Sequence, residues 1–199
     1  MQVLKPAGSC YNMVDCNRES GGPFCGASVS PVYENKIRRD DGTDMEKTVS
    51  ESMIEQIYQI RPEHLNGAGR MFGGKLMEWI DELAGFVAIR HSQQNVITAS
   101  VDNLRFIRGA YLGDLVVLIG KITFVGRTSM EVRVDTYVET MDGIRKPINR
   151  AYLTLVAVDG EGKPVEVPGL TVQTESEKAE WDAGIRRRKM RMQRRTEGF

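Results

Sequence analysis

The chain has 199 residues, 41% apolar and 27% charged, and its 27 basic and 27 acidic side chains sum to a net charge of zero. That length suits one domain with tails, the apolar share supports a packed core, and neutrality removes the global attraction of nucleic acid or an anionic membrane. No apolar run reaches the ~18 residues of a bilayer span.

Residues 1–44 hold no sustained helical or strand period and scatter Gly, Pro, Ser, Asn and Asp throughout, including Gly21-Gly22-Pro23. Such a segment buries too little apolar surface to offset its ordering entropy, so disorder is expected. No apolar stretch follows Lys5, unlike a secretory signal. The three cysteines (Cys10, Cys16, Cys25) have neither CxxC spacing nor a nearby histidine, so reduced thiols, no metal site and a cytoplasmic location are expected. Met45 opens a cleaner segment, and the leader reads as an extension the fold does not need. The expected division is therefore a leader (1–44), one domain (45–172) and a polar, basic helix (173–199).

Within the domain, Val49 to Ile60 reads as a strand or short mixed element that Pro62 ends, and a polar, Gly-containing loop runs from Glu63 to Met71. A long helix follows from Gly73 to about Ser92. Leu76, Ile80, Leu83 and Val87, with Ala84 and Ala88 beside them, form an apolar stripe at three- and four-residue spacing. The period then changes to two. Strands are predicted at Val96–Ile107, Leu115–Val125, Ser129–Thr140 and Arg150–Val158, with glycine-containing turns at 109–114, 126–127, 142–143 and 159–162.

One long helix followed by successive strands on short turns predicts an α+β domain with an antiparallel sheet. The strand after Leu115 is apolar on both faces over its first half, and one helix covers only one face. A second copy of the chain is the expected cover. In the Ser129 strand, Met130, Val132, Val134, Thr136 and Val138 alternate with Glu131, Arg133, Asp135 and Glu139, so the charged side is expected to meet water. The C-terminal segment runs from acidic (Glu175, Glu177, Glu180) to basic (Arg186, Arg187, Arg188, Lys189, Arg191, Arg194, Arg195), the order a helix dipole favours, and reads as a solvated, self-capping helix, with phosphate or nucleic-acid binding as the alternative.

The densest chemical pattern runs from Asn66 through Gly73-Gly74 into Asp81-Glu82. A glycine-rich loop delivers the chain into a helix N-terminus, where free N–H groups stabilise a developing negative oxygen. Glycines let a substrate carbonyl approach the backbone, and Asp81, two turns along, is placed to activate water. Asn66 is the amide that would orient the water or the carbonyl. Spacing alone equally fits an ordinary helix start with a solvated acidic flank.

The string Asn66 to Asp81 resembles the signature of the hotdog-fold acyl-CoA hydrolases. The strings Val96 to Asp102, Leu112-Gly113-Asp114, Gly126 to Met130 and Val156 to Asp159 resemble the same family in the same order, over about Ser52 to Leu170. Arg70 departs from it, standing where that loop often carries an acidic residue or Asn. The resemblance implies one helix wrapped by an antiparallel sheet of about five strands, paired as homodimers and often assembled as trimers of dimers. It further implies acyl-CoA as substrate, no cofactor, Asp81 as general base or nucleophile, and Asn66 as its partner from the other subunit. Gly73 and Gly74 would form the oxyanion hole, and Gly126, Arg127, Thr128 and Ser129 would lie along coenzyme A.

Three other readings remain. A hotdog dehydratase or hydratase needs a histidine working with an acid, and the chain offers only His64 in the loop and His91, whose place at a helix C-terminus suits capping. A non-catalytic acyl-CoA sensor would lack the helical carboxylate that Asp81 supplies, and a ligand-free scaffold would have no use for the Asn66–Asp81 pair. Serine-hydrolase chemistry is disfavoured, because no G-x-S-x-G elbow occurs.

Overall fold

The computed structural model describes residues 37–38 and 44–198. The elements in chain order are β1 (Ile37–Arg38), β2 (Asp44–Thr48), α1 (Val49–Ser52), β3 (Ile54–Gln59) and a 3-10 turn at Pro62–His64. There follow α2 (Gly73–Ser92), β4 (Asn95–Phe106), β5 (Leu115–Val125), β6 (Ser129–Glu139), β7 (Arg145–Val158), β8 (Gly169–Thr171) and α3 (Glu175–Glu197). Most of the leader expected to be disordered lies outside the described residues; within it, β1 pairs antiparallel with β2, and β2 pairs parallel with β8.

Five strands form one antiparallel sheet in the order β3-β5-β6-β7-β4, with α2 laid across one face. The apolar stripe of α2 drives this packing. Leu76, Ile80, Leu83, Ala84, Val87 and Ala88 are buried against Leu118, Val132, Val134, Ala151, Leu153 and Leu155. Gly120 lets β5 approach closely, since a Cβ there would stand 2.9 Å from Val87 Cγ2 and 3.1 Å from Leu83 Cγ. α2 closes on Gln93 in the left-handed region (φ 58°), and the Lys47 ammonium donates to the carbonyls of Arg90 and His91 at 2.8 Å each.

The cation at this helix end is therefore Lys47 and not His91, correcting the capping expected for the histidine. His91 is fully buried, with Nδ1 2.9 Å from Ser52 Oγ and Nε2 3.0 Å from the Pro168 carbonyl. A carbonyl only accepts, so Nε2 carries the proton and Nδ1 accepts from the serine hydroxyl. Burial pushes the His91 pKa down, against the opposing pull of the Pro168 carbonyl. The neutral ring ties α1, α2 and the approach to β8 together.

Two further expectations change because α3 docks on the other face of the sheet. First, the second half of β5, around Phe124, is covered on its outer face by the chain's own C-terminal helix. Trp181 packs on Phe124 with ring centroids 4.8 Å apart, and a Cβ on Gly184 would stand 2.6 Å from Phe124 Cβ. Second, the charged side of β6 is buried, with Glu131 only 1% exposed. The Arg187 guanidinium grips Glu131 (Nη2–Oε1 2.8 Å) and lies 3.8 Å over the Tyr152 ring. Arg191 bridges Glu131 (3.0 Å) and Asp102 (2.9 Å), and Arg194 reaches Asp102 at 2.8 Å. Arg133 pairs with Asp135 and with Glu180 of α3. The helix is self-capped as its sequence suggests: Thr174 Oγ1 accepts from the Glu177 N–H and the Glu177 carboxylate accepts from the Thr174 N–H, both at 3.2 Å. It is solvated on one side only.

β7 begins at Arg145, five residues before the predicted strand, and carries Pro147 opposite Tyr137 beside a register shift in β6. An irregularity in the ladder is where a proline, lacking an N–H, is accommodated.

Candidate functional site

The loop before α2 is ordered by its own backbone. Asn66 N–H donates to the Arg70 carbonyl (2.8 Å), Gly69 N–H to the Asn66 carbonyl (3.0 Å), and Gly69 takes a positive φ of 69°. Asn66 Oδ1 accepts the N–H groups of Ala68 (2.9 Å) and Arg70 (3.2 Å). Its amide oxygen is thereby committed, and the exposed Nδ2 remains as a donor.

Met71 N–H then bonds the Ala110 carbonyl and Phe72 N–H the His64 carbonyl, each at 2.8 Å, which aims the chain into α2. Phe72 is the N-cap and supplies no side-chain cap, and the first turn holds no acidic side chain. Lys75 and Leu76 both donate back to the Phe72 carbonyl, at 3.0 and 3.2 Å. The N–H groups of Gly73 and Gly74 are left without partners among the described residues. Bare donors at the positive end of a 20-residue helix suit an oxyanion. Both positions are crowded by aromatic rings: a Cβ at Gly74 would stand 2.5 Å from the Phe72 ring, and at Gly73 3.3 Å from the Phe106 ring.

Asp81 lies two turns along the same helix face as Gly74, and both line a cleft of about 360 Å³. Met77 and Glu78 continue that wall, and Thr98, Val101 and Leu104 of β4 form the other. Thr98 Oγ1 donates to Asp81 Oδ1 at 2.7 Å, which fixes the carboxylate and leaves Oδ2 open. Asp81, Gly73 and Gly74 are thus on one element, with Asp81 and Gly74 in one cleft. Asn66 does not line it, and neither histidine does. His64 Nδ1 accepts the Arg61 N–H (3.1 Å) and its ring stands edge-on to Trp79.

Gly126, Arg127, Thr128 and Ser129 form the turn from β5 to β6. It is closed by Gly126 N–H to the Ser129 carbonyl (2.7 Å) and anchored by the Thr128 and Arg127 carbonyls to the N–H groups of Ala157 and Val167. Arg127 is exposed, 3.7 Å from Glu166.

Thr98 was given no role by the sequence reading. The signal for it was a hydroxyl within a β-branched strand, but which face it occupies depends on the bulge between Thr98 and Ser100. No group of three or more His, Cys, Asp or Glu side chains suited to a metal occurs among the described residues.

The model of the thioesterase superfamily matches residues 68–144. An uncharacterized acyl-CoA thioester hydrolase of Bacillus subtilis is 39% identical over 128 residues, 64% of this chain and 74% of that one. The cytosolic acyl coenzyme A thioester hydrolase of Rattus norvegicus is 36% identical over 69% of this chain, which spans only 37% of that relative's length. Among solved structures, the acyl-CoA hydrolase of Staphylococcus aureus in complex with butyryl coenzyme A is 35% identical with a TM-score of 0.73, covering 77% of this chain and 94% of that one. That hydrolase has also been solved with an aspartate, a threonine or an asparagine replaced by alanine. An apo-hexameric acyl-CoA thioesterase is 38% identical with a TM-score of 0.73, covering 75% of this chain and 97% of that one.

Proposed function

Since the chain belongs to the hotdog-fold acyl-CoA thioesterases of the thioesterase superfamily, we propose that it hydrolyses acyl-CoA thioesters to free acid and coenzyme A with Asp81 at the centre. The observation that carries this reading is the Asp81 carboxylate, held by Thr98 at 2.7 Å, in one cleft with the unpartnered N-terminal turn of α2.

The thioester carbonyl oxygen points at the N–H groups of Gly73 and Gly74. Asp81 takes a proton from water as the water oxygen bonds to the carbonyl carbon, or attacks that carbon itself to form an anhydride that water then cleaves, restoring the carboxylate. Negative charge gathers on the carbonyl oxygen and returns as the C–S bond breaks. The thiolate of coenzyme A leaves readily without a strong general acid, so the proposed steps are free of metal and cofactor. A general base contributes about 10²–10⁴-fold and one oxyanion donor about 10²–10³-fold.

Asn66, with its amide nitrogen outward and outside the Asp81 cleft, completes the site from a second copy across a homodimer interface. β4 is an edge strand with Ile97 and Val101 exposed, a surface suited to pairing with its counterpart. The hexameric relative supports a trimer of dimers as the full assembly. In the Staphylococcus aureus enzyme the substituted asparagine, aspartate and threonine have the same separations along the chain as Asn66, Asp81 and Thr98 here, which supports all three roles. The 126–129 turn is assigned to the coenzyme A moiety. A cytoplasmic location accords with the name of the rat relative, and no helix among the described residues is long and apolar enough to cross a membrane.

The test is thiol release from a panel of acyl-CoA esters. Asp81→Ala should lose at least about a hundredfold in kcat with fold and assembly intact, and Thr98→Val about tenfold. Equal turnover in wild type and Asp81→Ala would remove the catalytic assignment. Tight acyl-CoA binding without turnover on any ester would make the protein a sensor.

A further inference from the structure

The N-terminal turn of α2 is braced by aromatic rings rather than by a side-chain cap. The tip of the Phe106 ring lies on Gly73, where a Cβ would stand 3.3, 3.7 and 3.8 Å from three of its carbons. Phe106 is itself half-exposed and ends β4, so the core does not fix it. The ladder that would fix it is interrupted, because β4 shifts register against β7 between Asp102 and Arg105. At that break the side chain of Asn149 in β7 takes over. Its Nδ2 donates to the Arg105 carbonyl at 2.9 Å, and Asn149 stands in register with Phe106. Arg105 is exposed, so without the amide its carbonyl turns to water as readily.

Asn149 is an unfavourable residue for the place it occupies. Strand alternation sets it on the α2 face with Ala151 and Leu153 of the core, and it is only 2% exposed. Its register partner Thr136 is fully buried on the same face, following Val132 and Val134. Asn149 Oδ1 and Thr136 Oγ1 are both buried without a hydrogen-bond partner among the described residues. Each such atom costs stability through desolvation, whereas an apolar pair of the same shape is neutral or stabilising. Departures of this kind from core packing collect at functional sites.

We propose that Asn149 is a positioning residue for the oxyanion donors, acting through the Arg105 carbonyl and the Phe106 ring on Gly73. It rests on the hydrolase reading above, in which the N–H groups of Gly73 and Gly74 receive the charge of the thioester oxygen. Small displacements matter there, since a donor acts only within hydrogen-bond distance of the place where that charge develops. Asn149 touches no substrate, so its loss shows in kcat rather than in KM.

The experiment measures thioester hydrolysis and the backbone amide resonances of Gly73 and Gly74 in the intact, isotope-labelled protein. The variants are Thr136→Val with Asn149→Leu, Phe106→Ala, and all three substitutions together. The Thr136→Val, Asn149→Leu pair should hold or raise the thermal midpoint while kcat falls about tenfold and KM stays within about twofold. The Gly73 resonance should shift. Phe106→Ala should lower kcat by a similar factor, and the combined variant should fall no further, because both changes cut one link. Phe106 is half-exposed, so its variant carries the test even if the buried pair fails to fold. Unchanged kcat in either variant overturns the proposal, whatever happens to the midpoint. So does a kcat loss with the Gly73 resonance unmoved, or two losses that multiply. If the wild type hydrolyses no thioester while the buried pair still shifts the Gly73 resonance, the link from Asn149 to the helix turn stands and the hydrolase reading falls.

Discussion

α2 and α3 dock on opposite faces of the same sheet by opposite means. α2 lays Leu76, Ile80, Leu83 and Val87 on Val132, Val134 and Leu153, an apolar contact that needs no particular pairing. α3 lays Arg187, Arg191 and Arg194 on Glu131 and Asp102, where three guanidinium groups share two carboxylates in one fixed geometry. β6 serves both, because alternate residues of one strand point to alternate faces. An apolar face tolerates a change of partner, whereas a buried charge that loses its partner is left exposed to the full cost of its desolvation. The candidate chemistry sits on the apolar side, where the core of α2 fixes Asp81 against β4.

The largest expected effect is on the apolar side. Leu83→Ala, at a fully buried position, should lower unfolding free energy by about 4 kcal/mol in chemical denaturation. A loss near 1 kcal/mol would mean that α2 is not the principal core element. Next is the ionic side. Glu131→Gln keeps the shape but leaves Arg187 and Arg191 facing a neutral amide, and should cost about 3 kcal/mol. The loss should be accompanied by faster hydrogen exchange in α3 than in α2. Uniform exchange would show that α3 is held by Trp181 and Phe124 rather than by its arginines.

The smallest effect lies at the joint between α1 and α2. Burial depresses the His91 pKa below its ordinary 6.5, so the unfolded chain takes up the proton first. The neutral bridge therefore contributes fully above about pH 6.5 and is lost as pH falls from there through the folded-state value. Unfolding free energy should fall as the pH drops from about 7 to about 5. His91→Gln should remove that part of the slope, and an unchanged slope would assign it to other groups.

Local pattern alone determined a good deal of this protein. The spacing of Leu76, Ile80, Leu83 and Val87 marks α2 over Gly73–Ser92, and the change to a period of two marks β5 over Leu115–Val125, as the structure places them. The glycine pair at the helix start and Asp81 two turns on were equally legible, because helix geometry relates residues seven apart without help from the rest of the chain. Tertiary structure decided what joins distant residues. The Arg187–Glu131 pair spans 56 positions and the Arg191–Asp102 pair 89, so nothing in either local sequence told a solvated charge from a buried one. The hydroxyl of Thr98 meets Asp81 only because a bulge sets the face of β4. β7 gains its first five residues, Pro147 included, from pairing with β6 rather than from their own polar sequence. Periodicity encodes which side of an element is apolar; which charges face each other across a sheet depends on register, and register exists only once the strands have met.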